Sequence, residues 1–355
     1  MDTIDWWRGG ILPDVGRKIA LLVLVASLSA CSGSMSGSPA ASTSPQAAIP
    51  LLVDTDVAPD DIVAISFLVE SPQVEIAAIT VSGTGEAHCE GGVDTVLRLL
   101  ERLQAPSIPV ACGRETPLTG DHAFPDDWRA AADAGSGLTL PATSRQPTGG
   151  TAVELMADTA AQVAGLRVLT LGPMTNLGDA LDAHPELATQ IESVYVMGGA
   201  LHVPGNVAFG GPADNHVAEW NIYVDPRAAQ AVLDAGLTVR FVSLDGTNQV
   251  PVTADYAQRV RDEATATGAQ ILAEMFATHP FMTDGTYYLW DPLAAAMAAR
   301  YPLGEFSPAR IEVEEVEGPE VGFTRPVEGI PNAEYLSTAH QAAAEDTLLD
   351  VLNQP

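Results

Sequence analysis

Lysine is almost missing from this chain: Lys18 is the only one in 355 residues. That absence excludes chemistries that need a lysine in the body of the protein, such as Schiff-base catalysis or a phosphate-binding P-loop. Positive charge is scarce altogether, with 16 Lys and Arg against 46 Asp and Glu and a net charge of −30. A surface this acidic repels nucleic acid, so a small neutral ligand suits it better than a polyanion. Cysteine is scarce too, at three residues, which rules out a disulfide-dense scaffold or an all-cysteine zinc site. What the chain has in quantity is apolar residues, at 46%, enough for a sizeable core.

The N-terminus reads as an export signal. Arg8, Arg17 and Lys18 precede the apolar stretch IALLVLVASLSA (19–30), which is short for a membrane span and ends in small residues. Leu28-Ser29-Ala30-Cys31 resembles a bacterial lipobox, whose cleavage leaves a lipidated cysteine. The expected layout is a lipoprotein signal over 1–30, a Ser/Ala/Gly/Pro tether over 31–48 and one domain over 49–355. It implies an exported protein held to the outer face of the cell membrane only through Cys31. Cys89 and Cys112 are either a disulfide or two buried thiols; the sequence leaves both open.

From residue 50 onward, short apolar β-branched runs alternate with helical patterns. Strands are expected at 50–55, 74–81, 108–112, 166–171, 193–197 and 238–244. Helices are expected at 60–70, 90–103, 150–164, 176–188, 225–235, 253–278 and 291–300. This alternation predicts an α/β fold with a mostly parallel central sheet flanked by helices. A hairpin over 309–315 and 319–325 and a final helix over 337–353 close the chain. The segment 113–149 reads as a long irregular loop, and such loops are often functional.

The run LLVDTDVAPDD (51–61) sends a buried strand into Asp54, Asp56, Asp60 and Asp61. In open α/β sheets ligands bind beyond the carboxyl ends of the strands. Asp54 and Asp56 share a face by the period of two, while Asp60 and Asp61 open the next helix. Four like charges at close range call for a cation or raised pKa values, and oxygen ligands of irregular geometry suit Ca²⁺. The bland alternative is a solvated acidic turn. An EF-hand fails at Ala58 and Pro59; a phosphatase of the haloacid dehalogenase type fails at Ala58 and for want of a lysine.

Four further blocks follow: LTLGPMTNL (169–177), VYVMGGALHVPGN (194–206), AEWNIYVDPRAA (218–229) and YYLWDPLAAA (287–296). In the third, Glu219 and Asn221 stand two apart, so an extended segment presents both to vicinal hydroxyls; Asp225-Pro226 also reads as a helix start.

In this order the blocks resemble the inosine–uridine-preferring nucleoside hydrolases, over nearly all of 50–355. The resemblance implies hydrolysis of the N-glycosidic bond of ribonucleosides and a bound Ca²⁺. Its ligands would be Asp56, Asp61, the carbonyl of Leu171 and Asp291, with Asp56 as general base. Asp60, Asn206, Glu219 and Asn221 match ribose-contacting positions; Asp54 and Met197 match positions near the pocket floor. The family also implies a homo-oligomer. An asparagine usual after the second strand is missing, and Glu86 is the preferred replacement. Where many members carry a histidine before the last metal-binding aspartate, Trp290 stands here. Together with Trp128 in FPDDWR, it is similar to the purine-specific branch, in which two indoles sandwich the base. The residue that protonates the leaving base is not legible; His88, His202 and His216 are spare candidates. A lipid-anchored nucleoside-binding protein and a pyrimidine-preferring hydrolase are the alternatives.

Overall fold

The computed structural model describes residues 47–354, so the export signal, Cys31 and most of the tether lie outside the described residues. Nine strands form one sheet: β1 Ile49–Thr55, β2 Val74–Val81, β3 Val110–Cys112, β4 Arg167–Thr170, β5 Ser193–Met197, β6 Val239–Val242, β7 Gly304–Val313, β8 Thr324–Val327 and β9 Ala333–Ala339. Their order is β3-β2-β1-β4-β5-β6-β9-β7-β8. The first six are parallel, as expected; β9 joins β6 in parallel, and β7 and β8 add an antiparallel edge.

Side chains alternate between the two faces. Leu51 and Val53 of β1 enter one apolar cluster while Leu52 enters the other. Tyr195 and Met197 of β5 lie on the first side, Val194 and Val196 on the second. The sheet is therefore buried on both faces, which explains its continuous apolar strands.

Thirteen α-helices are described. The first four are α1 Pro59–Glu70, α2 Cys89–Arg102, α3 Asp126–Asp133 and α4 Ala152–Gln162. Next come α5 Thr175–Ala183, α6 Leu187–Gln190, α7 Trp220–Val224, α8 Pro226–Asp234 and α9 Leu244–Thr247. The last are α10 Ala254–Glu263, α11 Thr267–Thr278, α12 Trp290–Ala298 and α13 Gln341–Leu352.

Several expected elements are corrected. The helix expected over 176–188 is two, because Pro185 interrupts it between α5 and α6. The one expected over 253–278 breaks at 264–266, where Asn353 accepts the N–H groups of Thr265 and Ala266. The hairpin is β7 with β8, and both are shifted: β7 starts earlier and is longer than expected, while β8 starts later and is shorter. The strand β9 overlaps the start of the expected final helix; its buried positions fall at every third residue, which hides the strand period. The irregular segment contains α3, whose acidic first turn after Pro125 is a helix-start signal.

The strand order reverses between β1 and β4. That switch point opens a crevice at the carboxyl ends of these strands, where Asp54–Asp56 and Leu171 emerge.

Candidate active site

The site begins where β1 ends. Asp61 is buried in the first turn of α1, and one of its carboxylate oxygens accepts the Thr55 hydroxyl and the Asp56 N–H, the latter at 3.2 Å. Its other oxygen is buried with no partner. Carboxylate oxygens of Asp60, Asp61 and Asp291 lie within 4.8 Å of one another, an arrangement that could hold a metal ion. A buried, unpartnered carboxylate oxygen facing two more carboxylates is costly unless a cation completes it. Asp56 adjoins this group: burial raises its pKa, and the charges of Asp61 and Glu86 raise it further. Burial, then the charges of Asp60 and Asp61, does the same to Asp291. Burial and Asp61 push Asp60 up to about 7.

Two glycines let backbone press against Asp56. A Cβ on Gly85 would come within 2.1 Å of the Asp56 side chain, and one on Gly172 within 2.6 Å. The first brings in the loop 82–88. There the Glu86 N–H donates to Asp56 Oδ2 at 3.0 Å, and the Glu86 carboxyl is half-buried. Burial and the charges of Asp60 and Asp61 push that carboxyl up to about 8. Gly172 follows Leu171, whose carbonyl accepts Asn221 Nδ2 at 2.7 Å.

Asp54 is set apart. One oxygen accepts Thr80 Oγ1 at 2.7 Å and Asn176 Nδ2 at 2.8 Å, and the other has no partner. Burial pushes its pKa up to about 7 against those hydrogen bonds. Asn176 of GPMTNL and Thr80 of β2 hold it in place.

Glu219 and Asn221 do not sit on an extended segment, which corrects the expected geometry. Glu219 caps α7, its carboxylate accepting N–H groups of Gly199, Asn221 and Ile222 at 3.0–3.3 Å, and Asn221 lies in the first turn. A carboxylate that caps its own helix start needs no strand to orient it. Asn221 nonetheless reaches the residue after β4 and the last residue of β5, donating to the carbonyls of Leu171 and Met197. Asn206 Oδ1 accepts the Trp220 N–H at 3.1 Å. Asp225 caps α8 ahead of Pro226, as expected.

The two tryptophans belong to different clusters. Trp128 of α3 packs with Phe124, Phe209 and Trp220 at centroid distances of 5.6–6.3 Å. Trp290 packs edge-on to Tyr287 at 4.5 Å, and its indole Nε1 is buried without a partner. Tyr287, absent from the expected site, lines a small cavity together with Asp60. Of the spare histidines, His88 is held by Asp133, and His202 and His216 are exposed.

A buried carboxylate cluster thus stands at the switch point, next to the start of α12 and the loop 82–88. Residues 51–345 match the family model for inosine-uridine preferring nucleoside hydrolases. The chain belongs to that family. The solved inosine-uridine preferring nucleoside hydrolase of Bacillus anthracis is similar in fold, with a TM-score of 0.76 and 25% identity, over 86% of this chain and 99% of that one. A purine-preferring ribonucleoside hydrolase from Gardnerella vaginalis is similar over the same shares, with a TM-score of 0.74 and 28% identity. The pyrimidine-specific ribonucleoside hydrolase RihA of Salmonella paratyphi B is 39% identical over 216 residues, 61% of this chain and 66% of the relative, a little under two thirds of its length. Family membership agrees with the α/β architecture and the block order read above.

Proposed function

We propose that the protein hydrolyses the N-glycosidic bond of ribonucleosides, yielding free base and ribose, with Ca²⁺ bound and with a preference for purines. The observation that carries this reading is the buried cluster of Asp60, Asp61 and Asp291 beside Asp56, with an unpartnered Asp61 oxygen. The donors are all hard oxygens and irregularly spaced in sequence, which fits calcium. Asp56, Asp61, Asp291 and the Leu171 carbonyl would hold the ion. When bound, it supplies Lewis-acid polarisation of water and sugar hydroxyls.

The chain's own residues do the rest. Asp56 takes the proton of the attacking water, held in place by the Glu86 N–H and the two glycines. Breaking the glycosidic bond builds positive charge on the ribose, and the surrounding carboxylates favour it. Asp60, Glu86, Asn206, Glu219 and Asn221 bind the sugar and orient it. Trp128 and Trp290 stack on the base, worth ~1–3 kcal/mol per base. A pyrimidine preference is the second reading, favoured by the Salmonella relative.

The test is release of reducing sugar from inosine, guanosine, uridine and cytidine, with calcium and with a chelator. Purine turnover that the chelator abolishes is expected. Faster turnover of uridine would overturn the base preference alone. Binding without any release would replace the enzyme with a nucleoside-binding protein. We also propose that the 49–355 domain works outside the cell as a homo-oligomer, tethered by 31–48 to a lipid on Cys31 after removal of 1–30. Labelling with a radioactive fatty acid should vanish in Cys31→Ala.

A further inference from the structure

Helix α3 touches the catalytic loop at both ends. Arg129 is buried, 8% exposed, in a chain with few cations. Its Nη2 donates to the Gly83 carbonyl at 2.8 Å, and its Nε has no partner. One turn on, Asp133 accepts the His88 N–H at 2.7 Å and lies 2.8 Å from His88 Nδ1. Residues four apart share one face of a helix, so Arg129 and Asp133 grip the loop at Gly83 and at His88. Between those grips lie Gly85, packed on Asp56, and Glu86, whose N–H donates to Asp56. A disulfide between Cys89 and Cys112, with Cα atoms 5.6 Å apart, ties the end of this loop to the end of β3. A buried guanidinium with a single carbonyl acceptor is unfavourable on its own account; what it secures here is the backbone beside the general base.

We propose that Arg129 and Asp133 are positioning residues that brace the loop Gly83–His88 against Asp56. This inference rests on the proposed hydrolysis for its kinetic readout and not for its structural one. Trp128 is held by its own aromatic cluster, so loosening the brace acts through Asp56 on kcat and, through Glu86, to a smaller extent on KM.

The test uses the full domain with calcium and inosine, and hydrogen exchange of the peptide covering 82–88. Arg129→Met and Asp133→Ala should each lower kcat about tenfold and raise KM for inosine by a smaller factor, because small misplacements of a catalytic group are amplified in rate. The 82–88 peptide should exchange faster in both. Arg129→Lys, which can still reach the Gly83 carbonyl, should recover most of the rate. A residue that served only stability would lower Tm and leave kcat at 25 °C unchanged. Asp133 is partly exposed, so Asp133→Ala decides the matter if Arg129→Met does not fold. Folded Asp133→Ala with wild-type kcat and wild-type exchange overturns the brace. If wild type releases no sugar from any nucleoside while the variants exchange faster, the brace stands and the proposed hydrolysis fails.

Discussion

The carboxylate side and the aromatic side of the site are built from different material. The carboxylates stand at the end of a central strand and in the first turns of α1 and α12, nearly all buried and tied into the sheet. The aromatic side hangs on the segment 113–149, where α3 has eight residues and its partner Phe209 is 76% exposed. Strand ends at a switch point hold charge in fixed positions, which is what proton transfer needs. A peripheral segment holds its rings mainly by packing, and under the proposed function it would face the base. The chemistry should therefore be intolerant of change on the first side and graded on the second.

The largest expected effect is on the rigid side. Asp56→Asn should lower kcat by roughly 10³-fold or more, since it removes the general base and one ion ligand while keeping the shape. Near-normal turnover would show that the base lies elsewhere and would dissolve the contrast between the two sides.

That side was also the more legible in sequence. Asp54, Asp56, Asp60 and Asp61 fall within eight residues, and a strand period with a helix start fixes their placement. Glu86 was reached only by resemblance, because its place depends on Gly85 passing close to Asp56. Val57 takes a left-handed φ of 63°, unusual for a β-branched residue, and no local pattern announces that turn. Thr55 and Asn176, which hold Asp61 and Asp54, sit inside blocks already singled out, yet their role needs the three-dimensional pairing. On the aromatic side the distances in sequence are long. Trp128, Phe209 and Trp220 meet only in the fold, and Arg129 looks like any helix-surface arginine until its burial is known.

The next effect falls on the bond between the two sides. The Cys89–Cys112 disulfide closes a loop with a sequence separation of 23. By loop entropy it stabilises the fold by about 3 kcal/mol. Cys89→Ser with Cys112→Ser, or a reductant, should lower Tm by several degrees, read by calorimetry. An unchanged Tm would mean that the loop is held by α3 alone.

Trp128→Ala and Trp290→Ala should each raise KM for inosine by roughly 5- to 150-fold, the range of ~1–3 kcal/mol per stacked base, with less effect on uridine. Equal losses on both nucleosides would assign the indoles to packing. Trp290 should show the larger loss. It directly precedes Asp291 in α12 and packs on Tyr287, so the rigid side backs it, whereas Trp128 leans on the exposed Phe209.

The last expected effect, spread over pH, concerns Glu219, which belongs to both sides. It caps α7, whose Trp220 joins the aromatic cluster and whose Asn221 reaches Leu171. Burial pushes the Glu219 pKa from 4.5 up to about 7, against the N–H groups that lower it. The folded protein therefore binds this proton more tightly than the unfolded chain. Below pH 4.5 both states hold it. Between about 4.5 and 7 only the folded state does, and stability falls as pH rises. The slope approaches 1.4 kcal/mol per pH unit for one proton. In metal-free protein, Glu219→Gln should remove that share of the slope, read as Tm against pH, because an amide keeps an oxygen acceptor but does not titrate. The same substitution trades a carboxylate oxygen for an NH₂ at the cap, so it should also lower Tm modestly at low pH, where wild type carries a neutral acid that still accepts. A slope that survives the substitution intact would place the titration in the carboxylates of β1 and α1, and Glu219 would then couple the two sides by packing alone.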